Sequence, residues 1–184
     1  MTAKGARVAV LVEDEFEDSE VVEPIKALRS AGASITTVGS GSKEVYTGHK
    51  GHTTVHVDTS ADKVQGRDFD AVIIPGGHAP DKMRLHPSML EFVKDAYAAG
   101  RIVAAVCHGP QLLISANVIR GRTVTCWPSI RVDIQNAGAN YVDQPVVRDG
   151  NLITARAPED LPEFSKAIVE ALEAREGGLP QTRM

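Results

Sequence analysis

The chain has 184 residues, 42% of them apolar and 24% charged, with a net charge of −4 at neutral pH. That length suits one domain with one good core, and the acidic balance argues against nucleic acid as a primary ligand, which calls for a positive field. No apolar run approaches the ~20 residues of a bilayer span, and Met1–Gly5 lacks the long apolar segment of a signal peptide, so a cytoplasmic protein without a membrane partner is expected.

Short β-branched runs alternate with amphipathic stretches along the chain. Arg7–Val12 is Val-rich and predicts a buried strand. Residues 18–31 follow with a helical stripe of Val21, Val22, Ile25, Ala27 and Leu28, closed by Gly32. Ser34–Val38 predicts the next strand, and residues 43–58 a β-excursion off the main sheet. Ala71–Ile74 predicts a third core strand running into Pro75-Gly76-Gly77, and Pro87–Ala99 a helix stopped by Gly100. Ile102–Val106 predicts a fourth core strand and Gly109–Ala116 a helix; Thr123–Cys126 reads as a strand and Ser129–Ala137 as a helix. Val146–Arg148 and Leu152–Ala155 flank the hairpin signal Asp149-Gly150-Asn151, and Leu161–Ala174 predicts the last helix. A frayed tail is expected over 176–184. Strand–helix alternation predicts a single α/β domain: a doubly wound, mostly parallel, flavodoxin-like sheet with helices on both faces.

In such sheets reactive groups gather beyond the C-terminal strand ends. Three segments fall there: residues 13–18, 76–81 and 107–110. The third is the most telling. Val106 ends an apolar run, and Cys107-His108-Gly109-Pro110 then enters a helix. A residue at such an elbow is lifted out of the sheet at a helix N-terminus, a setting expected to favour thiolate. Gly109 suits the tight turn, Pro110 the first helical turn, and the His108 N–H is a natural oxyanion donor. Cys107 is therefore the expected nucleophile. Cys126 sits in an apolar strand context and reads as a buried thiol. Two cysteines with no Cys-x-x-Cys pattern give no disulfide scaffold or structural zinc site, and no metal or organic cofactor is expected.

Four motifs in order, Glu15-Phe16-Glu17-Asp18, Pro75-Gly76-Gly77-His78-Ala79-Pro80-Asp81, Ala105-Val106-Cys107-His108-Gly109-Pro110 and Gly121-Arg122 leading to Trp127-Pro128, resemble the PfpI family of intracellular proteases and amidases. That family lies in the ThiJ/PfpI branch of the class I glutamine amidotransferase-like superfamily. The resemblance spans about Arg7 to Leu172 and implies roles by position. Cys107 corresponds to the reactive cysteine and His108 to the histidine after it. Glu17 matches the acid that hydrogen-bonds the sulfur, and must be protonated, with a raised pKa, to donate that bond. Gly77 supplies the second oxyanion N–H beside His108. Asp81 stands where founding-type proteases carry a glutamate that reaches the histidine of a neighbouring subunit. This implies a homo-oligomer, a dimer or larger. Trp127 stands near the pocket where some relatives carry tyrosine.

The remaining polar residues have simpler readings. The acidic cluster of Glu13, Asp14, Glu15, Glu17, Asp18 and Glu20 reads as mostly solvated, with Asp18 as a helix N-cap. On a strand His52 and His56 would be ~13 Å apart, too far for one metal, so His49, His52 and His56 read as exposed polar histidines. His78 follows Gly77 and lines the pocket or a surface loop. Two chemistries fit: a peptidase or amidase, with thiolate attack on a carbonyl and His108 moving the proton, or a glyoxalase or protein deglycase, with thiol addition to an aldehyde or glycated adduct. Both imply a small or protein-borne carbonyl or peptide substrate and a role in stress protection. The other class is a non-enzymatic redox sensor or chaperone-like stress protein using an oxidisable Cys107.

Overall fold

The computed structural model describes residues 2–176. In chain order the elements are β1 (Arg7–Val12), α1 (Asp18–Ser30), β2 (Ser34–Gly39), β3 (Val45–Thr47), β4 (Thr54–His56), β5 (Thr59–Ser60), β6 (Ala71–Ile74), α2 (Ala79–Met83), α3 (Pro87–Ala98), β7 (Ile102–Val106), α4 (Pro110–Ser115), β8 (Thr123–Val124), α5 (Arg131–Asn136), β9 (Asn140–Tyr141), β10 (Val146–Asp149), β11 (Leu152–Ala155) and α6 (Leu161–Glu176).

Seven strands form one sheet in the order β10-β11-β7-β6-β1-β2-β5. Every neighbouring pair is parallel except the β10–β11 hairpin at one edge. The interior strands β6, β7 and β11 are buried along their whole length, and β1 is buried after Arg7. Burial on both faces is why these segments are continuous apolar runs rather than alternating ones. From β1 the chain crosses to β2 in one direction, and from β6 to β7 in the other. Right-handed crossovers in opposite directions put α1 and α3 on opposite faces. Accordingly α1 packs on α6, while α3 packs on α4. The direction reverses between β1 and β6, so a crevice opens beyond their C-terminal ends.

The α/β class, the parallel sheet and the main elements follow the sequence reading. The 43–58 excursion is a separate two-stranded sheet, β3 with β4. Several details differ. The strand expected over Thr123–Cys126 stops at Val124 and pairs with β9 outside the main sheet, because the Thr125 N–H turns to the buried Thr154 Oγ1 at 2.9 Å. The helix expected from Ser129 begins as a single 3₁₀ turn, Pro128–Ile130, before α5. Val22 is 40% exposed rather than part of the buried stripe of α1, which runs through Val21, Pro24 and Leu28. The strands β5 and β9, of two residues each, and the five-residue α2 were not anticipated; they are too short to show a period. Of the tail expected over 176–184, only Glu176, which ends α6, lies within the described residues. No helix among the described residues is long and apolar enough to cross a membrane.

Candidate active site

Three chain segments meet beyond the sheet at the β1/β6 crevice: residues 13–17 after β1, 75–78 after β6 and 107–109 after β7. The first two are stitched together by backbone. The Glu17 N–H donates to Gly76 O at 3.2 Å, and the His78 N–H donates to Glu15 O at 2.9 Å. Gly76 and Gly77 are there because nothing larger fits. A Cβ on Gly76 would lie 2.6 Å from Glu20 Oε1 and 2.9 Å from both Cys107 Cβ and His108 N, and Gly77 has a positive φ of 76°.

Cys107 itself occupies the left-handed region, with φ 62°. That conformation costs a non-glycine residue about 1–2 kcal/mol, and the surroundings hold it. The Cys107 N–H donates to Ala155 O at 3.0 Å, and Cys107 O accepts from the Trp127 N–H at 2.9 Å. Gly109 serves the elbow differently from the sequence expectation. Its backbone is helical (φ −49°, ψ −40°), and it must lack a side chain because a Cβ would lie 2.5 Å from Ile74 O. The residue that takes the strained conformation is the cysteine.

Around the sulfur, the backbone N–H groups of Gly77 and His108 both reach Cys107 and favour its anion. His108 Nδ1 lies 3.4 Å from Sγ, and its Nε2 lies 3.4 Å from Ser129 Oγ. Burial, followed by His78 nearby, pushes the His108 pKa below its ordinary value, so the ring is neutral at pH 7. Glu20 is fully buried beneath the elbow. Its Oε1 accepts the Gly76 N–H at 2.7 Å, Oε2 has no hydrogen-bond partner among the described residues, and the carboxyl lies beside the Cys107 thiol. Burial pushes its pKa up to about 8 against the opposing Gly76 N–H. Burial, followed by Glu20, also raises the Cys107 thiol pKa, outweighing the two N–H donors. At a pKa of about 8 Glu20 keeps most of its proton at neutral pH, while burial works against the anion that the elbow and its two N–H donors favour at Cys107.

Above the sulfur is a cavity of about 230 Å³, lined by Glu17, His49, Gly77, His78, Cys107, His108, Trp127 and Pro158. Two aromatic pairs border it. His49 and His78 meet edge to face at 5.1 Å, and His108 stacks with Trp127 at 6.1 Å.

Residues 6–171 match the DJ-1/PfpI family. The chain belongs to the DJ-1/PfpI family. It is 44% identical over 169 residues to Protein/nucleic acid deglycase 2 of Escherichia coli, spanning 91% of this chain and 98% of that one. It is 42% identical over 170 residues to General stress protein 18 of Bacillus subtilis, spanning 92% and 99%. Among solved structures, Drosophila melanogaster DJ-1beta superposes with a TM-score of 0.86 at 30% identity, covering 96% of this chain and 93% of that one.

Within this DJ-1/PfpI fold, Cys107, His108, Gly77, His78 and Trp127 meet at one cavity, as the sequence reading grouped them. Glu17 is also at the cavity, but it is not the acid beside the sulfur. Its Oε1 is taken by Lys50 Nζ at 2.8 Å and by the Ser19 hydroxyl at 3.2 Å, and the carboxyl adjoining Cys107 is Glu20. Glu17 is the extended residue just before α1, whereas Glu20 lies within the helix on its inner face. Asp81 is exposed on α2 and lies outside the cavity lining. His49 is exposed, as expected, and also borders the cavity, because the β3–β4 turn folds back over α1. His52 and His56 are exposed and Cys126 is buried, as expected.

Proposed function

We propose that the chain is a Cys107-dependent hydrolase that acts as a deglycase or glyoxalase on small reactive carbonyl compounds and their adducts, not on extended peptides. The observation that carries this reading is the size of the cavity. About 230 Å³ beside a 7% exposed Cys107 admits a dicarbonyl or the end of one modified side chain, and lies below the usual range of ~300–1,000 Å³ for larger ligands. The deglycase name of the E. coli relative supports the same reading.

In this mechanism neutral His108 takes the thiol proton through Nδ1, and the sulfur adds to the aldehyde carbon. The carbonyl oxygen develops its charge between the Gly77 and His108 N–H groups and receives the proton back from His108, giving a hemithioacetal. The ionised fraction of Glu20, present at neutral pH because its pKa is about 8, takes the proton from the hemithioacetal carbon and returns it to the adjacent carbonyl carbon, while His108 moves the hydroxyl proton from the first oxygen to the second. The resulting thioester is hydrolysed by water, which frees Cys107 and releases a 2-hydroxy acid.

The reading includes a homo-oligomer, carried over from the family resemblance. Asp81, exposed and outside its own cavity, would serve the His108 of a neighbouring copy. A strict monomer in sedimentation at micromolar concentration would remove Asp81 from the mechanism. Steady-state kinetics on methylglyoxal, a glycated amino acid and a fluorogenic peptide, each with a Cys107→Ser control, test the main proposal. Turnover of the first two that vanishes in the control is expected. Cys107-dependent peptide cleavage without dicarbonyl turnover would overturn it.

A further inference from the structure

Asp18 lies two residues before Glu20 and takes no part in the cysteine chemistry above. It does not cap α1 either, because its carboxylate points to another segment. Oδ1 accepts the Lys50 N–H at 2.9 Å, and Oδ2 accepts the N–H groups of His52 at 3.1 Å and Thr53 at 2.8 Å. The residue is only 6% exposed, and these donors hold its pKa below the usual value against the cost of burial. The segment so gripped is the β3–β4 turn. Gly48 begins it, and a side chain there would collide with the Asp18 carboxylate.

The turn is also tied from the other side. The His49 N–H donates to Phe16 O at 2.7 Å, and the Glu15 N–H donates to Thr47 O at 2.9 Å. His49 stands between these two sets of bonds, against His78 at the cavity. A hairpin outside the main sheet would otherwise be free to swing. Two short strands alone are marginal, and three charge-assisted bonds to one buried carboxylate are strong by comparison.

We propose that Asp18 is a positioning residue for substrate selection: by holding the turn 48–53 it fixes His49 as a wall of the Cys107 cavity and so limits the size of substrate admitted. This rests on reading that cavity as the active site. The wall is set by backbone bonds to a carboxylate, so it does not depend on the exposed Lys50–Glu17 ion pair.

The test compares large and small reagents at one sulfur. In the full-length protein, alkylation of Cys107 by iodoacetamide and by a pyrenyl maleimide is followed by mass analysis of the Cys107 peptide. The ratio of phenylglyoxal to methylglyoxal kcat/KM is measured in parallel. In Asp18→Asn the amide nitrogen faces N–H donors instead of accepting from them, and the large-to-small ratio should rise about fivefold in both measurements, chiefly through KM. His49→Ala, which removes the wall directly, should give the same shift, and the double variant should give no more than His49→Ala alone. Gly48→Ala, which keeps the Asp18 charge, should move the ratio in the same direction. Ratios within about twofold of wild type in folded Asp18→Asn or in His49→Ala overturn the proposal. Should both variants of the clamp fail to fold, His49→Ala alone decides it. If the wild type shows no Cys107-dependent turnover, the proposed function fails, while the alkylation ratio still reads the clamp.

Discussion

Asp18 and Glu20 are two carboxyls in the first turn of one helix, both buried, yet their proton affinities are displaced in opposite directions. The difference is in the donors that surround them. Asp18 receives three backbone N–H groups, enough to overcome its burial. Glu20 receives one, from Gly76, and sits beside a thiol with Glu17 close by, so burial wins and its pKa rises to about 8. One carboxylate is thus a fixed anion suited to holding backbone, and the other a proton-bearing acid suited to chemistry.

That contrast can be broken by experiment. The largest effect concerns Glu20 and pH. Its pKa is about 8 in the folded chain against an ordinary value of 4.5, so the native state binds more protons than the unfolded one between those limits. Its contribution is fully present below about pH 4.5 and is lost as pH rises through about 8. Glu20→Gln lacks this slope, so its stability relative to wild type should rise by on the order of 4 kcal/mol across that window. Urea unfolding at several pH values measures it, and parallel curves would show that Glu20 is not a buried acid. Next, Glu20→Ala should lower kcat/KM for methylglyoxal by on the order of 10²-fold, as expected when a proton carrier is removed. A smaller effect is predicted for Asp18→Asn, which should destabilise the chain by about 2 kcal/mol at neutral pH through unpaired buried groups. Since the Asp18 pKa is lowered, that contribution is present above pH 3.8 and disappears as pH falls through the folded value. The two urea midpoints should therefore converge in acid. Lys50→Ala removes only an exposed ion pair and should leave the urea midpoint unchanged.

The fold was legible because its strands are buried on both faces and appear as unbroken apolar runs between glycine stops. The elbow at Cys107 was legible for the same reason: a fully apolar strand, then Cys-His-Gly-Pro. The acid was not. Glu17 and Glu20 stand in one acidic run, and choosing between them requires the phase of α1. A signal was present, since Glu20 precedes the buried Pro24 by four residues and Leu28 by eight, which puts all three on one face. Glu17 precedes the helix, where that period does not apply. His49 carried no local signal. Its place depends on a turn bonded to residues more than thirty positions earlier, and no spacing within the turn reveals that. The burial that opposes charge on Cys107 was not legible either, because a sequence shows the helix that follows a cysteine but not how much water the fold removes from it.

The bond between the Cys107 N–H and Ala155 O has a consequence for the making of the protein. The strained conformation of the cysteine is held by a strand that lies almost fifty residues further along the chain, and the Trp127 N–H secures its carbonyl from the loop after β8. On a ribosome, the cysteine would emerge well before either support exists. Until β11 has been synthesised and docked, the Cys107 N–H lacks the Ala155 carbonyl that holds it. The reactive site is thus among the last features of the molecule to come into being, and its appearance marks the completion of the sheet.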